Sequence, residues 1–397
     1  MFSSFSKLFS YSLISSLITF SSSFFLAYFY SPGDFGEFSL YFAIANILSG
    51  FLFMRADFLV AKRKELEKYA YSLLIYSTIL ALFISLPFIL LFSEFIKGIT
   101  IIVWSSAIAL SSLATYMCIR RGLENLIGYM RLANAVSISL LQIVFSFSSA
   151  NNGLIFGSLI GVIISHTIPF LYLRKKNYGL LSFKKTFGIL KRNFKYSFPS
   201  TMSWLFDAVL LSLIPVVINI KYGAVIAGYY VFADRVIKSP VSVLTSTLSP
   251  IIVGCVSKGS VTSSRILKLI LMYALIVLML SVVSYYFFGD IIGYAVIYLW
   301  GSKWDESSTI ISLVIIYHLL YMYNVSTMYI YHHYRSVNIY ITIQFLFMVG
   351  VVSIFFFSSV NWKMAIEFVI GLFFVVFFTN LISQIYLLKR GGDERLS

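Results

Sequence analysis

The feature that most constrains this chain is a series of long apolar runs joined by short connections. About 20 residues wound as a helix cross the hydrocarbon core of a bilayer. In hydrocarbon every backbone N–H and C=O must be satisfied internally, so only helices and closed barrels can span it. The runs here are continuous rather than alternating with period two, which argues against a barrel. Composition agrees. Of 397 residues, 59% are apolar and only 11% charged, and the mean hydropathy is +0.91. A soluble domain carries about 25% charged residues. The expected fold class is an all-α polytopic membrane protein.

Twelve spans are predicted, at roughly 9–30, 37–54, 69–92, 99–119, 132–150, 153–173, 200–220, 224–253, 266–288, 308–330, 337–357 and 365–388. Turn-forming residues support several connections: Ser31-Pro32-Gly33-Asp34, Asn151-Asn152-Gly153 and Lys221-Tyr222-Gly223. Lys and Arg set the orientation. With the N-terminus inside, 24 of the 30 basic residues fall on cytoplasmic segments and 4 (Lys97, Lys221, Lys303, Lys363) on outer loops. That bias places both termini in the cytoplasm. It also accounts for the net charge of +15 without a nucleic-acid partner. The first apolar run is expected to be a span rather than a removed signal peptide.

The longest cytoplasmic connection holds eight basic residues and no acidic one between Arg174 and Pro199. Phe183, Phe187, Leu190 and Phe194 share one helical face there, with Lys184, Lys185, Lys191, Arg192 and Lys195 among them. This predicts a basic amphipathic helix on the inner leaflet. Pro199 is expected to open the next span. The domains expected are thus an N-terminal six-helix lobe over 1–173, a linker over 174–199 and a C-terminal six-helix lobe over 200–397. A weak internal echo supports duplication: Gly36 through Ala43 can be laid on Gly228 through Arg235, an offset of 192.

Motifs exclude several chemistries. There is no GxxxxGK[ST], HExxH or GxSxG. Cys118 and Cys255 stand apart and near the expected cytoplasmic face, so no disulfide or zinc site is predicted. His166, His318, His332 and His333 form no spaced cluster. No catalytic residue, metal or cofactor is expected, and the chain is not expected to be an enzyme. Any driving force must be H⁺ or Na⁺ coupling, membrane potential or downstream consumption.

Ionisable residues inside spans are costly and mark pathways or bundle interiors. Asp207 lies in span seven, and Asp234, Arg235 and Lys238 lie in span eight. Counting from residue 224 at 1.5 Å per residue, Asp234 is about 15 Å deep, near the midplane. Asp234, Arg235 and Lys238 lean toward one face. Two positive charges against one negative leave a net cation for a ligand. The plainer alternative is an Asp234–Lys238 ion pair that locks span eight. Asn46 in span two and Arg55 at its cytoplasmic end complete the substrate-pathway candidates. Interhelical glue and a topology anchor are their plainer readings. The same glue reading applies to Asn134, Gln142, Asn219, Asn324 and Gln344. Asp207, whose surroundings would alternate with the cavity, is the candidate for ion coupling.

Four segments carry a resemblance: Tyr30-Ser31-Pro32-Gly33-Asp34-Phe35-Gly36-Glu37-Phe38; Arg55-Ala56-Asp57-Phe58; Tyr222-Gly223 through Gly228-Tyr229-Tyr230 to Asp234-Arg235 and Pro240; and Trp300-Gly301-Ser302-Lys303-Trp304-Asp305-Glu306. With the 6+6 layout, the chain resembles the polysaccharide-export branch of the multidrug/oligosaccharidyl-lipid/polysaccharide (MOP) exporters, the Wzx-type O-antigen repeat-unit flippases. It departs from their Phe-Gly element with Trp300, and span one lacks charges. The resemblance implies two lobes related by an axis along the membrane normal, with spans one, two, seven and eight lining a cavity. It implies a bacterial inner-membrane flippase for undecaprenyl-diphosphate-linked oligosaccharide, acting in O-antigen or lipopolysaccharide biosynthesis. A polysaccharide polymerase and a chain-length regulator would be its partners in the bilayer. The rivals are a MATE-like drug/cation antiporter, which would favour an acidic cavity, and a membrane polymerase or glycosyltransferase, which usually needs a large extramembrane loop. The largest outer loop expected here is only about 289–307. A non-transporting scaffold is opposed only by the intramembrane charges.

Overall fold

A computed structural model describes residues 2–53, 95–121, 123–147, 152–174, 182–257, 263–334 and 336–393, with isolated positions between 72 and 83. Among the described residues the chain is helical with no strand. Eleven of the twelve predicted spans fall on described helices; of span three only isolated positions are described, and Arg55 lies outside the described residues. Spans one and two are Phe2–Phe29 and Pro32–Phe53, and spans four, five and six are Phe95–Arg121, Glu124–Ser146 and Gly153–Arg174. Among the described residues seven helices are long and apolar enough to cross a membrane, and three shorter apolar helices accompany them.

Three boundaries differ from expectation, each for a local reason. Span five begins at Glu124 rather than near 132. Its early turns pack on span one: Gly128 lies against the Tyr11 ring, and the Arg131 guanidinium donates to the Ser12 hydroxyl. Arg131 is thus a helix residue, not a loop one. Second, Pro199 does not open a helix. The basic linker helix and span seven form one element, Phe183–Tyr222, that runs through it. Third, the expected outer loop after span nine is mostly helix. Ser263–Val283 passes through a π-helical turn, Ser284–Phe288, into Gly289–Trp300. Gly289, Gly293, Val296 and Trp300 recur on one buried face, which suffices to continue the helix. Gly301, at φ +72°, then turns the chain through Ser302–Trp304 into span ten, Asp305–Thr327. Spans eight, eleven and twelve are Ala224–Ser257, Val337–Phe357 and Trp362–Asp393.

The chain forms two compact units. The first comprises Met1–Ser22 and Phe38–Ser212, and the second Ser23–Glu37 and Leu213–Ser397. In the first, Tyr41 and Ala45 of span two pack with Trp104 of span four and Ile155 and Leu159 of span six. Gly157 and Gly161, four apart on span six, meet the backbone of span five at Gln142 and Ile138. Small residues at this spacing let two membrane helices approach closely. Gln142 then bridges them, donating to Ser158 Oγ (2.7 Å) and Leu154 O (3.2 Å).

In the second unit, spans ten and twelve are joined by a buried polar ladder. Asn380 donates to Asn324 (3.1 Å), Tyr323 donates to Gln384 (3.0 Å), and Gln384 donates to Thr327 (2.9 Å). Asn324 thus acts as interhelical glue, as read from sequence, with Asn380 and Gln384 as partners that the sequence reading did not single out. Orientation is testable: a reporter active only in the periplasm, fused at Gly391, is expected to stay silent. Activity there would reverse the topology drawn from the basic bias.

Candidate functional site

The second unit contains two clusters built from the sequence segments singled out above. The first gathers three of the four resemblance segments at one place. Ser31 caps span two: its hydroxyl accepts from the Asp34 N–H (3.3 Å), and the Asp34 carboxylate accepts from the Ser31 N–H (2.7 Å). Pro32 at the first helical position loses no needed donor. Carbonyls in the last two turns of span one accept from the Trp300–Glu306 segment. Trp300 Nε1 donates to Phe24 O (2.8 Å) and Trp304 Nε1 to Ala27 O (3.0 Å). Lys303 donates to Ala27 O (3.2 Å) and Tyr30 O. A cation at a helix C-terminus also meets the negative end of its dipole. Between these elements Phe35, Phe232 and the fully buried Trp304 pack together, Phe35 edge-on to both others and the Phe232 and Trp304 centroids 4.3 Å apart.

The 192-residue echo has a physical counterpart here. The α-carbon of Gly36 lies against the carbonyl of Ala224, and that of Gly228 against the carbonyl of Pro32. Since 224 − 32 and 228 − 36 are both 192, spans two and eight cross by a reciprocal contact at equivalent positions. A Cβ on either glycine would overlap the facing carbonyl. Asn219 adds a hydrogen bond to Gly36 O (2.9 Å). Two more of the lysines expected on outer loops make structural contacts. Lys221 donates to Ser358 O (2.7 Å), and Lys363 pairs with Glu306 (2.7 Å).

The second cluster is the charged face of span eight. Val236, Ile237 and Ser239 are buried, whereas Asp234, Arg235 and Lys238 retain exposure. Asp234 accepts from, or ion-pairs with, His318 Nε2 of span ten at 2.9 Å. The histidine side chain is 3% exposed and the carboxylate 23%, so the pair opens on the aspartate side. Among the described residues Asp234 makes no ion pair with Lys238, although that ammonium is within electrostatic reach. The anchor of Asp234 is therefore interhelical, and Lys238 is not consumed by it. Sequence reasoning missed His318 because its partner lies 84 residues away.

The remaining candidates are not brought into this cluster. Asn46 sits half-buried in the first unit, where its carbonyl accepts from Ser49 (2.7 Å). The backbone of Asp207 lies in Phe183–Tyr222, and its side chain lies outside the described residues. Among the described residues no group of His, Cys, Asp and Glu could hold a metal ion.

The same helix arrangement occurs in solved transporters. The lipid II flippase MurJ, in an inward closed conformation, matches with a TM-score of 0.66 over 95% of this chain and 87% of its own, at 14% identity. The Vibrio cholerae MATE transporter VcmN in its bent form matches at 0.53 over 98% of both chains, with 12% identity. A MOP superfamily transporter from Pyrococcus furiosus, described as having a binding pocket of reversed polarity, matches at 0.53 over 97% of this chain and 96% of its own, with 11% identity. The fold is that of MOP transporters. No family model matches the sequence, and no curated protein matches it.

Proposed function

We propose that this protein is a flippase of the bacterial inner membrane. It moves an undecaprenyl-diphosphate-linked oligosaccharide, an O-antigen or related repeat unit, from the cytoplasmic to the outer leaflet. The observation that carries this reading is the net-positive, partly exposed face of span eight. There Arg235 and Lys238 outnumber Asp234, and Asp234 is held by His318 rather than by Lys238. A diphosphate is a concentrated anion that such a face attracts, whereas a cationic drug would be repelled. The likeness in fold to a lipid II flippase supports a lipid-linked cargo.

In this reading the lobes are 1–173 and 200–397, joined by the basic stretch 174–199 on the inner leaflet. The headgroup passes Asn46, Arg55, Asp207, Asp234, Arg235 and Lys238 while the polyprenyl tail stays in lipid. Rocking of the lobes gives alternating access. A polysaccharide polymerase and its chain-length regulator consume the product and help to draw transport forward. No step makes or breaks a bond, so the protein acts as a carrier rather than an enzyme.

Arg235→Ala is the direct test of the cationic face. It is expected to lower surface polysaccharide at least tenfold while the protein accumulates normally, the loss of about 1.4 kcal/mol or more of headgroup binding. Arg235→Lys should retain much of the activity. Wild-type polysaccharide levels in Arg235→Ala would remove the residue from the pathway. Loss of the protein itself would assign it a structural role.

A further inference from the structure

We infer that Asp234 and His318 form a proton site, and that His318 takes up a proton when an anionic headgroup binds beside Arg235 and Lys238. This rests on the cationic face being the headgroup site. The pair bridges spans eight and ten inside the second unit at 2.9 Å. The neutral imidazole donates its Nε2–H to the Asp234 carboxylate, which can only accept, and this leaves Nδ1 as the ring's remaining acceptor for a proton. Imidazole is the side chain whose ordinary titration lies near neutral pH.

The groups facing the pair are few. Span eight contributes Tyr230 one turn before Asp234, Arg235 beside it and Lys238 one turn after. Span ten contributes Tyr317, whose ring lies 5.3 Å from that of His318. The helix Gly289–Trp300 packs on span ten and Tyr329–His333 on span eight, and these bring Asp290, His332 and His333 by sequence; spans nine and twelve also pack on span ten. Their sequences carry no acidic, basic or histidine residue between Lys268 and Asp290 or between Glu367 and Lys389.

The charge arithmetic gives the sign. With His318 neutral, Asp234, Arg235 and Lys238 sum to +1; one proton on His318 makes the cluster +2. A diphosphate placed against the cluster interacts more favourably with the second state, because unit charges a few ångströms apart in a site of reduced dielectric interact by several kcal/mol. By linkage, a ligand that prefers the protonated state must bind protons as it binds. Histidine thus does not touch the cargo. It adjusts the field in which Arg235 and Lys238 work, with Asp234 holding the ring in place.

The test is calorimetric titration of undecaprenyl diphosphate into the full-length protein in nanodiscs at pH 7. Two buffers of different ionisation enthalpy are used, so that the number of protons exchanged per lipid is read directly. The comparison is wild type against His318→Gln, whose amide can still donate to Asp234. The lipid's own titration is common to both. The wild type is expected to take up more protons per lipid than the variant, by up to one, and both proteins are expected to bind. In affinity, the wild type should weaken relative to the variant as the pH rises. Binding by both with equal proton exchange overturns the proton site and leaves the headgroup reading intact. No binding by folded wild type overturns the headgroup reading and this inference with it. If His318→Gln does not fold, Asp234→Asn replaces it. That variant should also take up fewer protons than wild type, and equal uptake there overturns the proposal.

Discussion

Trp304→Ala is expected to destabilise the protein by about 3–5 kcal/mol, the range for removing a large aromatic from a packed interior. Trp304 is fully buried. Its ring meets Phe232 at 4.3 Å and Phe35 at 5.3 Å, and its indole N–H satisfies a terminal carbonyl of span one. Deletion therefore opens a cavity and orphans Ala27 O from one of its two donors. Lys303 remains at 3.2 Å, which should limit the second loss. Thermal unfolding in detergent separates the two effects. Trp304→Phe keeps most of the packing and should lose about 1 kcal/mol for the hydrogen bond. Equal melting of wild type and Trp304→Ala would contradict the packing described.

The reciprocal glycines should be less forgiving still. Gly228→Val and Gly36→Val each place a branched side chain on a backbone carbonyl of the facing helix. No rotamer relieves a clash that begins at Cβ, so the helices must separate. The expected result is failure of either variant to accumulate as folded protein, with alanine at the same positions already harmful. Gly371→Ala is the control. Nothing lies within 4 Å of a Cβ there, and the residue is helical. That change should be neutral or stabilising by about 0.5–1 kcal/mol. Normal accumulation of Gly228→Val would show that spans two and eight do not need this approach.

Most of the fold was legible because one physical rule dominates it. An apolar run in a bilayer must be a helix, so spans could be placed by length and hydropathy. The errors fell where that rule is silent. Gly289 and Asp290 look like the start of a loop, yet the buried face Gly289, Gly293, Val296 and Trp300 carries the helix onward. Pro199 looked like a helix start, but proline is also tolerated inside long helices whose neighbours compensate.

The candidate site was half legible. Intramembrane charge pointed to Asp234, Arg235 and Lys238, because such residues are expensive and therefore informative. Their relation to His318 was not, since nothing in the local sequence of either span reports a partner 84 residues away. The glycine echo at offset 192 was visible as a pattern. Its meaning, two helices each opening its backbone to the other, needed the crossing itself. The Trp300–Glu306 segment was recognised only by likeness. The hydrogen bonds to Phe24 and Ala27 supply the physical reason for both tryptophans and for Lys303.

The most direct test of the central claim is translocation by the purified protein. Proteoliposomes would carry undecaprenyl-diphosphate-linked oligosaccharide in both leaflets, and external lectin or glycosidase access would report movement between them. The wild type should equilibrate the lipid within minutes, and Arg235→Ala should slow this at least tenfold. An imposed pH or Na⁺ gradient would show whether Asp207 couples transport, by comparison with Asp207→Asn. Absence of lipid movement in wild-type vesicles that do transport a cationic drug would contradict the account and assign the fold an antiporter's role instead.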